Sequence, residues 1–141
     1  MTKAPLKVVI AGSRTITDFR LVLLAVLRSG FEIAEVVCGD ARGADRLGAR
    51  YAHHKSIPVK HFPADWERLG KKAGIIRNGQ MVDYADAVII VWDGKSRGSL
   101  DTIIKANIAR KPCYILVTEG EAPTSLPKNG TLRVETLAQA R

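Results

Sequence analysis

The sequence predicts an α/β protein: a single Rossmann-like domain of three layers, in which helices cover both faces of a mainly parallel, five-stranded sheet. Short, continuous apolar runs, typical of strands buried on both faces, alternate with segments of helical periodicity. Glycine-containing turns follow several of these runs. The 141 residues suffice for one domain with its own core, which we assign to residues 6–117, with residues 119–141 as a C-terminal loop and tail.

The first half of the chain contains three predicted strands and two helices. Leu6–Ala11 is a continuous apolar run and predicts the first strand. Asp18 can cap the helix that follows, and leucines at helical spacing extend that helix to about Ser29. The next three elements are a strand, a helix and a short strand: Ala34–Cys38, Arg42–His54 and Val59–Phe62.

The second half continues the alternation after a predicted loop with helical turns at Pro63–Gly74. A helix, a strand, a helix and a strand follow: Ile75–Tyr84, Ala87–Trp92, Leu100–Ala109 and Cys113–Val117. Glu119–Gly130 is rich in Gly, Pro, Ser and Glu and is expected to be a loop. Thr131–Thr136 is a candidate for an additional edge strand, and the last residues are expected to fray.

Composition favours a cytoplasmic protein with an anionic partner. The net charge of +8 favours polyanions or phosphorylated small molecules without choosing between them. The basic residues are spread along the chain, so a nucleic acid is the secondary expectation. No apolar segment is long enough for a membrane helix, and Cys38 and Cys113 are expected to be buried thiols. No metal-ligand spacing is present, and we expect neither a metal nor a cofactor.

Three loops should open on one edge of the sheet, because each follows the carboxyl end of a parallel strand. They are Gly12-Ser13-Arg14, the segment from Gly39 to Asp45 and the segment from Asp93 to Ser99. Each contains glycine, a hydroxyl or carboxylate, and an arginine. The glycine serves the turn, whereas a recurring arginine favours a phosphate-bearing ligand. The first loop lacks the G-x-G-x-x-G spacing, so a dinucleotide bound in that mode is not expected.

The third loop carries the strongest signal, since Ser96-Arg97-Gly98-Ser99 opens a helix directly after a buried strand. Unpaired backbone N–H groups and the positive end of the helix dipole suit a phosphate there. Gly98 allows close approach, Ser99 can cap the helix or bond an anion, and Arg97 adds charge. The alternative is an ordinary strand-to-helix turn that binds nothing.

The first two loops leave similar alternatives open. Arg14 either grips a phosphate or is a solvated turn residue. Gly43, in the first helical turn beside Arg42, indicates close approach of a ligand or of another backbone. Asp45 either accepts hydrogen bonds from ribose hydroxyls or compensates the helix dipole.

The segment around the third helix supplies further candidates. Arg77 and Met81 share a helical face with Asn78 beside it, and together they could bracket a phosphate and a planar base. Alternatively, Met81 belongs to the core and Arg77 pairs with Asp65 or Asp83. Trp66 either stacks on a base or anchors its own loop.

Several motifs in order resemble the YspA/YpsA-related branch of the SLOG superfamily over residues 6–117: Ala11–Arg14, Gly39–Arg46, Ala64–Trp66, Ala73-Gly74, Arg77-Asn78, Met81 and Trp92–Ser99. The resemblance implies a Rossmann-like fold that binds a nucleotide or related ligand. Superfamily members include the DNA-processing protein DprA and the LOG phosphoribohydrolases, which cleave the N-glycosidic bond of nucleoside monophosphates. Arg77 and Met81 match an arginine and a methionine of the LOG enzymes, and Gly98-Ser99 matches their phosphate loop. The position of their catalytic glutamate holds Thr102, with Asp101 one place earlier.

The leading hypothesis is a protein that binds a nucleoside phosphate or nucleotide-derived molecule, as sensor, carrier or sequestering protein. Phosphate contacts are assigned to Arg14, Arg97 and Gly98-Ser99, ribose to Asp45, and the base side to Arg77, Asn78 and Met81. One alternative is an N-glycosidic hydrolase that uses Arg77 and Asp101. Another is single-stranded nucleic-acid binding in the manner of DprA, which the +8 charge motivates. The resemblance also implies a homodimer.

Overall fold

The computed structural model describes residues 4–39, 43–127 and 130–141. Its six strands form one sheet in which every paired neighbour is parallel, in the order β3-β2-β1-β4-β5-β6. The strands are β1 (Leu6–Gly12), β2 (Ile33–Cys38), β3 (Val59–His61), β4 (Ala87–Trp92), β5 (Cys113–Val117) and β6 (Leu132–Thr136). This is the Rossmann-like α/β arrangement that the sequence predicts, with one strand more.

The helices alternate with the strands, and local sequence explains several of their ends. They are α1 (Phe19–Ser29), α2 (Ala44–His54), α3 (Trp66–Leu69), α4 (Ala73–Tyr84), α5 (Arg97–Ile108) and α6 (Leu137–Ala140), with a 3₁₀ turn at Gly70–Lys72. The Asp18 side chain caps α1 by accepting from the backbone N–H of Arg20, and Gly30 ends that helix at φ 73°. None of the helices in the described residues is long and apolar enough to cross a membrane.

Two apolar layers fix the helices on opposite faces of the sheet. Val8 and Ile10 of β1 pack with residues of α1 and α2, whereas Val9 and Ala11 pack with residues of α4 and α5. Every residue of β4 is buried. Side chains alternate between faces along a strand, so continuous apolar runs are what a doubly covered sheet needs.

The strand order fixes where a ligand site can form. β1 lies between β2 and β4, and the chain reverses its direction of travel across the sheet at the β1–β4 pair. Gly12 at the end of β1 pairs with Val91 of β4. A Cβ at Gly12 would overlap the Val91 carbonyl oxygen and lie 2.9 Å from the Ala44 Cβ. Glycine therefore lets the two strands and α2 meet closely at the crevice where such sheets bind ligands.

The C-terminal region confirms one candidate element and corrects one expectation. The candidate edge strand is present, because Leu132–Thr136 pairs with β5 at the edge of the sheet. The residues after it do not fray: Thr136 and Gln139 form a reciprocal capping box, and Ala140 is buried against the α1 side of the core. The predicted loop before α4 contains α3 and the 3₁₀ turn, as its expected helical turns suggested. Both cysteines are buried and form no disulfide.

Candidate functional site

A cleft of about 230 Å³ lies at the carboxyl edge of the sheet, where β1 and β4 end. Four parts of the fold supply its walls: the end of β1 with the loop after it, and the helices α2, α4 and α5. The described residues that line it are Ala11, Gly12, Arg14, Asp45, Arg77, Asn78, Ser96, Gly98, Ser99 and Thr102. The structure thus brings described residues of all three predicted loops, and of α4, to one place.

Ser13 joins two of these loops from beneath the cleft. It is completely buried, and its Oγ accepts a hydrogen bond of 2.9 Å from the backbone N–H of Asp93. Its carbonyl oxygen accepts from the N–H groups of Ile16 and Ala44. Ser13, predicted as a ligand contact, therefore lies under the lining residues and holds the loops after β1 and β4 together.

Asp93 shapes the loop that leads into α5. Its Oδ1 accepts hydrogen bonds of 2.9 Å from the backbone N–H groups of both Lys95 and Ser96. Partial burial raises the pKa of this carboxyl, but these bonds, with those from Ser13 and Thr15, outweigh it and hold the pKa below its ordinary value. Asp93 stays ionised and fixes the turn without lining the cleft.

The N-terminus of α5 leaves backbone donors available at the cleft. Ser96 caps the helix with its Oγ, 3.4 Å from the Ser99 nitrogen, and the Ser99 hydroxyl bonds the same oxygen. The N–H groups of Arg97 and Gly98 have no hydrogen-bond partner within the described ranges. A Cβ at Gly98 would meet nothing within 4 Å. Packing does not explain this glycine, in contrast to Gly12.

Arg77 is a buried cation whose partners are neutral. Only 8% of the residue is exposed, and it lines the cleft. Its Nη1 donates to the Gly39 carbonyl and its Nε donates to Asn78 Oδ1 at 3.1 Å. Within the described part of the chain no carboxylate pairs with it; Asp65 pairs with Arg68 instead. An isolated buried charge is unfavourable, so an anion in the cleft would stabilise this arrangement.

A chain of hydrogen bonds holds Asn78 in the orientation that Arg77 needs. The Asn78 Nδ2 donates to Asp101 Oδ2 at 3.1 Å, which leaves its oxygen for Arg77. Asp101 also pairs with Lys105 at 2.7 Å, and Lys105 Nζ donates to the Ile75 carbonyl. The Asp101 carboxylate therefore bonds Asn78 and Lys105, and Asp101 is not among the residues that line the cleft.

The described residues of the second loop contribute mainly by close packing. A Cβ at Gly39 would lie 2.5 Å from Arg77 Nη1, so this glycine seats the guanidinium. Gly43 has φ 74°, and a Cβ there would overlap the Ser13 carbonyl and the Arg14 backbone. The close approach that Gly43 allows is therefore that of another backbone segment, the one at Ser13 and Arg14. Asp45 is 5% exposed in the first turn of α2 and lines the cleft.

The remaining predicted residues lie elsewhere. Met81 is 1% exposed and belongs to the core between the sheet and α4–α5. Trp66 is 52% exposed on α3, and Arg97 is exposed at the start of α5; neither is among the lining residues. Arg42 lies outside the described residues.

Sequence reasoning missed Ala11 and Thr102 as lining residues. Thr102 is 2% exposed, and its hydroxyl donates to the Gly98 carbonyl at 3.2 Å. Its position four residues after Gly98 on one helical face was the available signal. Ala11 immediately precedes the first predicted loop.

Comparisons with known proteins agree with this fold. The profile described as the YspA, cpYpsA-related SLOG family matches residues 6–69. The chain is 33% identical over 127 residues to the Gene 61 protein of Mycobacterium phage D29, a match that covers 83% of this chain and 98% of that protein. A solved structure of DNA processing protein A from Helicobacter pylori, which binds single-stranded DNA, is similar in fold. Its TM-score is 0.56 at 22% identity, over 82% of this chain and 66% of that chain.

Proposed function

This chain belongs to the YspA, cpYpsA-related SLOG family, and from that premise we propose that its cleft binds a nucleoside phosphate or a related nucleotide-derived molecule. The protein would then act as a sensor, carrier or sequestering protein. The observation that carries the proposal is Arg77: a guanidinium that is buried, faces the cleft and has only neutral partners among the described residues.

The phosphate is assigned to the wall that α4 and α5 share. Arg77 supplies the charge, and the unpartnered N–H groups of Arg97 and Gly98 supply donors at the positive end of α5. Gly98 removes the side chain that would keep an anion at a distance. A charged donor and backbone donors on one wall suit a phosphate oxygen cluster better than a single carboxylate.

The opposite wall is assigned to the sugar. Asp45 is the carboxylate among the described lining residues, and carboxylate oxygens accept hydrogen bonds from vicinal hydroxyls. Arg14 is exposed at the same cleft and forms no ion pair within the described ranges. It is available as a second phosphate contact that closes over the ligand.

N-glycosidic hydrolysis receives less support from the geometry. A hydrolase of this kind needs a carboxylate directed at the scissile bond. Asp101 is instead paired with Lys105 and Asn78, and the lining position on α5 holds the neutral Thr102. We infer that Asp101 positions Asn78 and Arg77 for binding.

Single-stranded nucleic acid is a second candidate ligand. The net charge of +8 and the fold shared with DNA processing protein A favour it. A phosphodiester offers the same oxygens to Arg77 as a nucleoside monophosphate does, so both candidates use one cleft.

Calorimetric titration tests the proposal. The four ribonucleoside 5′-monophosphates and their nucleosides are titrated into wild type, Arg77→Met and Arg68→Met; the last removes an exposed arginine paired with Asp65. We expect at least one monophosphate to bind, its nucleoside to bind at least ten-fold more weakly, and Arg77→Met alone to lose at least ten-fold. Equal binding of nucleoside and monophosphate, or an unaffected Arg77→Met, contradicts the proposal. Release of free base by wild type but not by Asp101→Asn would instead support N-glycosidic hydrolysis.

A further inference from the structure

Trp66 is a large aromatic side chain that the fold leaves half exposed. It begins α3, and 52% of its surface is accessible. The edge of its indole rests on α4: Trp66 Cη2 lies 3.3 Å from the position that a Cβ on Gly74 would take. Glycine at this point seats the ring, while much of the ring remains open. The seated edge anchors the α3 segment, and the open surface of the ring is accessible to a planar partner.

The ring rests on α4, the helix that carries the proposed phosphate contact Arg77. Gly74 and Arg77 are three residues apart on α4, so they are neighbours on the helix surface, separated by about 4.5 Å along its axis. The Arg77 side chain lines the cleft. The helix position on which Trp66 rests and the arginine that lines the cleft therefore lie within one turn of the same helix.

The charges around Trp66 favour an anionic occupant. Arg68 is paired with Asp65, so this pair cancels. Lys71 and Lys72 are exposed, and neither forms an ion pair within the described residues; the exposed carboxylate nearby in sequence is Glu67. The two lysines outnumber that glutamate, and the net charge of the whole chain is +8.

We propose that Trp66, with Lys71 and Lys72, is a base-stacking platform that extends the cleft, so that the protein holds a single-stranded nucleic acid with one phosphate at Arg77 and the adjacent base on Trp66. This proposal rests on the proposed function, whose phosphate site it uses. Exposed aromatic rings beside cations bind single strands in this way, because every base has a face that can stack on a ring.

Fluorescence can follow the platform directly. The chain has two tryptophans; Trp92 is only 2% exposed but donates to the Ser96 carbonyl at the cleft, so the quenching that Trp66→Leu abolishes is the part assigned to Trp66. Wild type is titrated with dTMP and with thymidine oligonucleotides of two, four and eight nucleotides; a uridine octamer separates RNA from DNA. We expect quenching and at least ten-fold tighter binding of the octamer than of dTMP.

Substitutions test which residues make the octamer bind more tightly than dTMP. The anisotropy of a labelled octamer measures its affinity for each variant. Trp66→Leu keeps an apolar anchor on Gly74 but removes the aromatic face, and should reduce octamer affinity at least five-fold while dTMP binding persists; Trp66→Phe should restore most of it. Lys72→Glu should weaken octamer binding and flatten its salt dependence. Lys55→Glu is the matched control. Lys55 follows the C-terminus of α2, and that end of the helix lies away from the carboxyl edge of the sheet.

The results separate this inference from the proposed function. If dTMP binds in an Arg77-dependent manner but the octamer binds no tighter, or Trp66→Leu has no effect, the platform is wrong and the cleft assignment stands. If the octamer depends on Trp66 but not on Arg77, the phosphate assignment is wrong. If Trp66→Leu changes the sedimentation coefficient but not octamer affinity, the ring is a protein contact and the proposal is overturned.

Discussion

Two glycines at the cleft have different physical reasons to be glycine. Gly43 combines φ 74° with contacts that a Cβ could not avoid, those to Ser13 and Arg14. Gly98 lies in a helix with nothing within 4 Å of its missing Cβ, where alanine would be the better helix former. Folding explains the first glycine, and we propose that the second allows the close approach of a ligand.

Substitution by alanine should therefore act in opposite directions at the two positions. Gly43→Ala should lower the free energy of unfolding by about 3 kcal/mol, because it adds both strain and overlap. Gly98→Ala should leave that free energy unchanged or raise it by up to about 1 kcal/mol, yet weaken nucleoside-phosphate binding several-fold. Urea unfolding and calorimetry check both. A destabilised Gly98→Ala with normal binding would show that Gly98 serves the fold.

At the residue scale, the sequence predicts that Arg14, Asp45 and Ser99 lie at one edge of the sheet. It does not predict the role of every residue near them. Parallel strands place their following loops at one edge, and this rule needs no coordinates. The assignment of Ser13 to packing depends on how closely α2 approaches the loop after β1, and sequence spacing does not give that distance. The same holds for Asp101, whose direction is set by Lys105 and Asn78 on two packed helices.

At the element scale, α4 depends on a contact from outside the helix. Lys111, before β5, donates through Nζ to the carbonyl oxygens of Val82, Asp83 and Ala85 at 2.6, 2.9 and 2.6 Å. A cation at a helix C-terminus satisfies its last carbonyls and stabilises its dipole. Lys111 thus holds the helix that carries Arg77 and Asn78.

Lys111→Met should destabilise the protein by about 1–2 kcal/mol, because the carbonyls lose a charged donor. Urea unfolding measures the loss, with Lys55→Met as the control for removal of a surface lysine. A change no larger than that of the control would mean that water replaces the ammonium group without penalty.

The elements themselves follow from the sequence where apolar runs are continuous, as in β4 and β5. β6 is harder to predict because its burial is intermediate or exposed and its pairing with β5 is long-range. The short α6 depends on its capping box. Its sequence signal consists only of Thr136 followed by Gln139, which is too short to predict a helix. Predicted helix starts differ by a few residues because α4 begins without a side-chain cap.

At the scale of the whole molecule, a polar cluster ties the last strand to the first helix. Arg28 of α1 donates to both carboxylate oxygens of Glu135 in β6, at 3.0 and 2.5 Å, and the Tyr114 hydroxyl donates to Glu135 at 2.8 Å. The hydrogen bonds from Arg28 lower the pKa of Glu135 below its ordinary 4.5, and Tyr114 lowers it further.

This shift gives stability a defined pH dependence. A carboxyl whose folded-state pKa lies below its unfolded-state value stabilises the fold fully above the unfolded value and loses that contribution as pH falls through the folded value. The free energy of unfolding of wild type should exceed that of Glu135→Gln above pH 4.5, and the difference should narrow on acidification. Urea unfolding between pH 3 and 7 (about the range where carboxyls titrate) measures it. A difference independent of pH would show that the charge contributes nothing.

The homodimer expected from the family resemblance stays a prediction. Four isoleucines on α4 and α5 are partly exposed, and they are Ile75, Ile76, Ile104 and Ile108. Sedimentation experiments that compare wild type with Ile108→Glu test whether the chain self-associates through these residues.

We propose that the crevice between β1 and β4 holds an anion on Arg77 and the first amides of α5. Amide chemical shifts in a ¹⁵N-labelled sample, titrated with the monophosphate that calorimetry selects, test it most directly. The largest changes should fall on Arg97, Gly98 and Ser99 and should disappear in Arg77→Met. Saturable changes that leave these amides unmoved and cluster elsewhere would contradict it.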